Sequence, residues 1–184
     1  MSFTAYPTPG IIDSNNLAVG ESCISRLICG TGATLVSGQV NFTYFTAQKS
    51  EPVNNLFTDC AGTAAGATPT FCAIGMYTVD SGGNLTLVGQ CANDTTIWNT
   101  AFARFVRANT TPFNKVAGQR YAHAVLCITA AALPVLRGYA GTVVDTALAP
   151  QLASFIGGQA NLPASVAAGS LTVVSNMQYG GVTP

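Results

Sequence analysis

Charge is what this sequence has least of. Only 8% of its 184 residues are charged, against about 25% in an ordinary soluble domain. Seven Lys and Arg balance seven Asp and Glu, with no basic run, which argues against a nucleic-acid surface built to neutralise phosphates. Long apolar runs are also missing. The longest, Ala130 to Leu136, is broken by Pro134 and falls far short of the roughly 20 residues a spanning helix needs, so no membrane insertion is expected. The first ten residues hold neither a cationic region nor an apolar run, and do not read as a signal peptide. Histidine and tryptophan occur once each, as His123 and Trp98. No Cys-x-x-Cys pair is present, so a Cys/His zinc signature is excluded, and neither cofactor nor metal is expected.

What the chain does have is apolar content, 48%, enough to build a core and to argue against disorder. A surface poor in charge must then be made of Thr, Ser, Asn, Gln and Gly, which suits burial in an assembly. Six cysteines leave two readings open, reduced thiols or one or more disulfides. Cys72 and Cys127 lie inside apolar, strand-like runs and read as buried thiols.

The periodicity is that of strands. Val40–Thr46 nearly alternates, Thr70–Val79 is β-rich, and Leu85–Val88 resumes after Asp80-Ser81-Gly82-Gly83-Asn84. That pair of runs predicts a hairpin with Gly82 and Gly83 in its turn. Further strands are expected at Arg104–Arg107, Gln119–Thr129 and Leu171–Met177, with shorter ones near Ser25–Ile28 and Gly138–Val143. Helix is confined to a short segment opening at Asp94 or Thr95 and to Asp145–Phe155, the latter weakened by Pro150. The pattern predicts an all-β sandwich or barrel. Residues 1–22 read as an extended N-terminal arm, 23–156 as the β-sandwich domain, and 157–184 as a Gly/Ala-rich C-terminal tail containing one strand.

Catalytic chemistry is thin. His123 sits on an apparent strand with Tyr121 and Val125 on its own face, and reads as a packed residue rather than a base for a serine or cysteine nucleophile. Carboxylate pairs for glycoside hydrolysis would have to be Asp80 with Asp94 or Glu51 with Asp59, and loop solvation explains each more simply. The oxygen-rich Asp80–Asn84 run suits calcium, yet a hairpin turn requires the same residues. Gly30-Thr31-Gly32 is a turn without the lysine of a phosphate loop. Sequons at Asn41, Asn84, Asn93 and Asn109 are what a Thr- and Asn-rich chain produces by chance. Trp98, where a loop turns toward the short helix, is the one aromatic weighed as a ligand contact against core packing. No catalytic residue is assigned and no enzyme is expected.

The succession of the strand Gly38–Ala47, the hairpin Ile74–Val88, Trp98 and the strand Ala117–Leu126 (Ala-Gly-Gln-Arg-Tyr-Ala-His-Ala-Val-Leu) resembles the β-sandwich head domains on the exterior of tailed bacteriophage virions, in tail fibres, minor tail proteins and head fibres. The resemblance covers about residues 35–143. It implies a jelly-roll-like antiparallel sandwich, often trimeric, that assembles with other virion proteins or touches a glycan or protein on the host surface. It also implies residence in the virion after synthesis in the host cytoplasm. The chain has no coiled-coil or β-helical shaft, which favours a compact virion-attached subunit over a fibre tip, and a tail-associated subunit is the preferred reading. A capsid decoration or head-fibre subunit is the alternative, and a secreted carbohydrate-binding module is the reading of another class.

Overall fold

The computed structural model describes residues 20–140 and 150–184, apart from 31, 63, 67 and 68. Thirteen strands form among them: β1 (Glu21–Ser22), β2 (Val40–Thr46), β3 (Glu51–Asp59), β4 (Phe71–Val79), β5 (Leu85–Gln90), β6 (Arg104–Lys115), β7 (Arg120–Ile128), β8 (Gly138–Ala140), β9 (Ala153–Ile156), β10 (Ser165–Val166), β11 (Thr172–Val173), β12 (Asn176–Gln178) and β13 (Gly180–Thr183). Every pairing is antiparallel. A four-stranded sheet runs β1-β13-β3-β6, a seven-stranded sheet β10-β5-β4-β7-β2-β9-β11, and β12 pairs with β8. The chain is an all-β antiparallel sandwich. No helix among the described residues is long and apolar enough to cross a membrane.

The inner face of the seven-stranded sheet meets the four-stranded one. Met76 and Gly89 are partners on this face, and a Cβ at Gly89 would stand 2.5 Å from Nδ2 of Asn109 on β6. Phe45 and Phe113 pack on either side of Tyr121 at ring separations of 6.0 and 6.1 Å. The outer face is covered as well. Phe42 and Tyr77 meet edge to face at 5.2 Å, the Tyr77 hydroxyl donates to the Pro163 carbonyl at 2.8 Å, and a Cβ at Gly75 would stand 2.6 Å from Leu162 Cδ1. Burial on both faces explains why Tyr121 to Cys127 are all buried and why their sequence does not alternate. Gly75 is small because Leu162 of the C-terminal segment lies directly over it.

That segment departs most from the sequence reading. Residues 157–184 are not a tail with one strand: they supply β10, β11, β12 and β13, and β13 lies between β1 and β3. The expected strand Leu171–Met177 divides into β11 and β12, which join different sheets. Of the N-terminal arm, residues 1–19 lie outside the described residues, while Glu21 and Ser22 pair with Val182 and Gly181. Ser25–Ile28 forms a 3-10 turn over Arg26–Ile28, because the Ser25 hydroxyl accepts from the Leu27 amide at 3.1 Å. Thr95–Trp98 is a turn rather than a helix: Ile97 N donates to Asp94 O at 3.1 Å, and Trp98, at φ +65°, breaks the right-handed course. Of Asp145–Phe155, residues 145–149 lie outside the described residues, and Ala153–Ile156 is strand. Of the expected strand at Gly138–Val143, Gly138–Ala140 is β8 and 141–143 lie outside them.

The hairpin forms where expected, with Val79 opposite Leu85. Its turn is organised by Asp80. One carboxylate oxygen accepts from the Gly82 and Asn84 amides, each at 2.8 Å, and the other from the Asn84 side chain at 2.9 Å. Only Gly83, at φ +81°, occupies the left-handed region; Gly82 does not need to be glycine for its φ.

Candidate functional site

The sequence candidates are placed by the sheets in structural roles. His123 is buried with Nε2 3.1 Å from the Phe57 carbonyl. A carbonyl only accepts, so Nε2 carries the proton and Nδ1 is left bare, without a hydrogen-bond partner. Burial pushes the imidazole down to about 4, so it is neutral near pH 7. No carboxylate or nucleophile bonds to it among the described residues.

The acids are dispersed and engaged. Glu51 and Asp59 stand at the two ends of β3, about 27 Å apart at the rise of a strand, well beyond any glycosidase separation. Glu51 pairs with Lys49 at 2.7 Å and Lys115 at 2.9 Å, and Asp59 with Arg104 at 2.8 Å. Asp80 follows the end of β4, whereas Asp94 donates its amide to Cys72 O at the strand's start, so these two are equally far apart. Asp94 is held by Arg107 at 2.5 Å. Lys115 is 1% exposed and answers Glu21, 3% exposed, at 2.8 Å; the contact is close but poorly aligned for a hydrogen bond, and Oε2 has no other partner. No group of three metal-ligating side chains forms among the described residues.

Trp98 is fully buried, with its indole N–H unpartnered. It offers no face to a sugar, because the turn carrying it points the ring into the core. Asn41 and Asn109 are buried, so those two sequons are closed to modification. Cys72 and Cys127 are free, buried and directly opposed on β4 and β7, with Sγ atoms 3.6 Å apart. The Cys72 thiol donates to Cys127, and that bond together with burial holds it far above the ordinary thiol range. Burial likewise pushes Cys23 up to about 12 and Cys29 to about 11.

Two of the surface clefts are lined by arginine. One, of about 450 Å³, is lined by Arg26, Asp59, Phe102, Ala103, Arg104 and Arg137. Beside it stand the most exposed large apolar side chains of the described residues, Leu27 at 94% and Phe102 at 73%. Phe102 is held outward by a left-handed φ of +58°, and Leu27 by the capped turn that follows Ser25. Arg104 is fixed in the cleft wall: it forks onto both oxygens of Asp59 at 2.8 and 3.2 Å and lies 4.7 Å over the Phe57 ring. The other cleft, of about 490 Å³, opens between the β4–β5 turn and the C-terminal segment. Composition identified neither, since both assemble residues far apart in the chain.

No family model matches the chain, and no curated protein matches its sequence.

Proposed function

We propose that this chain is a non-enzymatic structural subunit on the exterior of a bacteriophage virion, associated with the tail, and that it works there as a homo-oligomer, a trimer in the arrangement the resemblance implies. The observation that carries the assembly reading is the apolar rim of the arginine-lined cleft. Leu27 and Phe102 are the most exposed large apolar side chains of the described residues. Ile28 at 48%, in the same 3-10 turn as Leu27, and Val106 at 45%, on β6, which begins two residues after Phe102, extend the apolar exposure. Large apolar side chains ringed by arginine are the composition of protein interfaces. The engagement of the carboxylates in ion pairs and of His123 in the core supports a structural role over a catalytic one.

Light scattering of the purified chain at micromolar concentration tests the oligomer, and a Leu27→Asp, Phe102→Asp variant tests the surface. The wild type is expected to associate and the variant to be monomeric with an unchanged thermal midpoint. A monomeric wild type overturns the assembly reading. Mass spectrometry of purified particles from the phage encoding the chain tests the location, and its absence from them overturns the virion assignment.

A further inference from the structure

The second cleft has a chemistry that the assembly reading does not use. Its floor is the outer face of the seven-stranded sheet, where the Tyr44 hydroxyl and Ser154 Oγ lie 2.6 Å apart. One hydroxyl donates to the other, so one O–H hydrogen remains to be offered elsewhere. Beside them the Arg120 guanidinium lies 4.6 Å over the Tyr44 ring and donates through Nη2 to the Gln151 carbonyl. Its remaining N–H groups have no acceptor among the described residues, and no carboxylate of those residues pairs with it. Asp80, in the turn at the mouth, lines the same cleft without reaching Arg120. One Asp80 oxygen accepts two bonds and the other a single bond, so acceptor capacity is left facing solvent. Those bonds, the Asn84 side-chain bond first, also hold its carboxyl below the ordinary range. Leu171 and Val173 form an apolar wall.

From this arrangement we infer that the cleft formed by Tyr44, Ser154, Arg120, Asp80, Leu171 and Val173 binds a neutral polyhydroxylated ring of hexose size. A guanidinium donates to adjacent hydroxyl oxygens, a carboxylate accepts from adjacent hydroxyl hydrogens, and the floor hydroxyls do both. The ring's C–H face lies on Leu171 and Val173. Both charges are held in place, one by stacking and the other by the turn, so little ordering is required on binding. Their opposite signs disfavour charged ligands: an anion meets Asp80 and a cation meets Arg120. The volume lies within the range of small-molecule pockets. The inference goes beyond the virion assignment and stands or falls separately from it.

Amide chemical shifts of the ¹⁵N-labelled full chain, followed during titration with D-glucose, D-galactose, D-mannose and L-rhamnose, provide the test. N-acetylneuraminic acid and D-glucosamine serve as the charged counterparts. At least one neutral hexose is expected to shift the amides of Ser81 to Gly83, Gln151 and Ala168 saturably, with a Kd on the order of millimolar. Asp80→Asn should weaken that binding by about tenfold, as loss of a charge-assisted bond does. Because Asp80 also organises the turn, Ser81→Trp is the second variant: it fills the mouth from an exposed position and should abolish the shifts while spectral dispersion stays native. The inference is overturned if no neutral hexose shifts these amides saturably, if a charged sugar binds more tightly, or if Ser81→Trp binds like the wild type.

Discussion

A Cβ built on Gly180 would stand 2.3 Å from Cε1 and 2.5 Å from Nε2 of His123, so β13 passes the imidazole only as glycine. The same Nε2 bonds to the Phe57 carbonyl on the neighbouring strand. One side chain of the seven-stranded sheet therefore seats two strands of the other sheet. Gly180→Ala has no slack, since the second obstacle is the Phe57 carbonyl oxygen at 2.7 Å. Its expected cost is about 1–3 kcal/mol from overpacking. Combining it with His123→Ala should recover part of that cost, because the two sites share one space. Denaturant unfolding of the two single variants and the double variant measures the coupling, and simple additivity would contradict the contact.

The buried imidazole makes stability depend on pH. Its folded value of about 4 lies below the unfolded value of 6.5, so the unfolded chain binds the extra proton in between. The stabilisation is complete above about pH 6.5, declines as pH falls toward about 4, and then levels, for a total of roughly 3 kcal/mol. His123→Gln should flatten the slope between pH 6.5 and 4.5. Unfolding midpoints at several pH values for both proteins decide it, and equal slopes would refute the burial argument.

Lys115 is a buried cation facing Glu21 and Glu51. Lys115→Ala strands Glu21 as a buried, uncompensated charge, with an expected loss of about 3–5 kcal/mol. Lys115→Met combined with Glu21→Gln removes the charge with its partner and should lose much less. Thermal unfolding of the two proteins separates the cost of an orphaned charge from the net value of the pair.

The hairpin turn depends on one glycine. Gly83→Val forces a β-branched residue to φ +81° and should cost about 1–3 kcal/mol. Gly82→Val carries no penalty for its φ; its Cβ meets the Asn84 and Asp80 side chains at 3.2 and 3.3 Å, which need give only a few tenths of an ångström, and it should cost less. Equal losses in thermal unfolding would mean that the turn conformation is not the one described.

The hairpin was legible because its signal is local: two β-rich runs and a turn chemistry lie within about twenty residues, as such motifs do. Two of the C-terminal strands were not. Ser165–Val166 and Gly180–Thr183 are two and four residues long, too short to show a period. Their strand character comes from Leu85 and Phe57 across the ladder, partners about 80 to 125 residues away in the chain. Trp98 is a core residue, the reading set against a ligand contact, but the backbone that puts it there is not visible in the sequence. Its neighbours Asp94, Thr95 and Thr96 are polar, and only the left-handed backbone at Trp98 itself turns the ring inward.

By itself the sequence determined that the chain is all β, that its hairpin turns at Asp80–Asn84, and that Cys72 and Cys127 are core residues, because composition and short-range periodicity carry those facts. Tertiary structure alone decided that His123 is a neutral spacer between sheets, that residues after 157 close the sandwich, and that Leu27 and Phe102 stand at one cleft while Arg120 and Asp80 share another. Those outcomes depend on which distant segments meet, and contact between distant segments leaves no period in the chain.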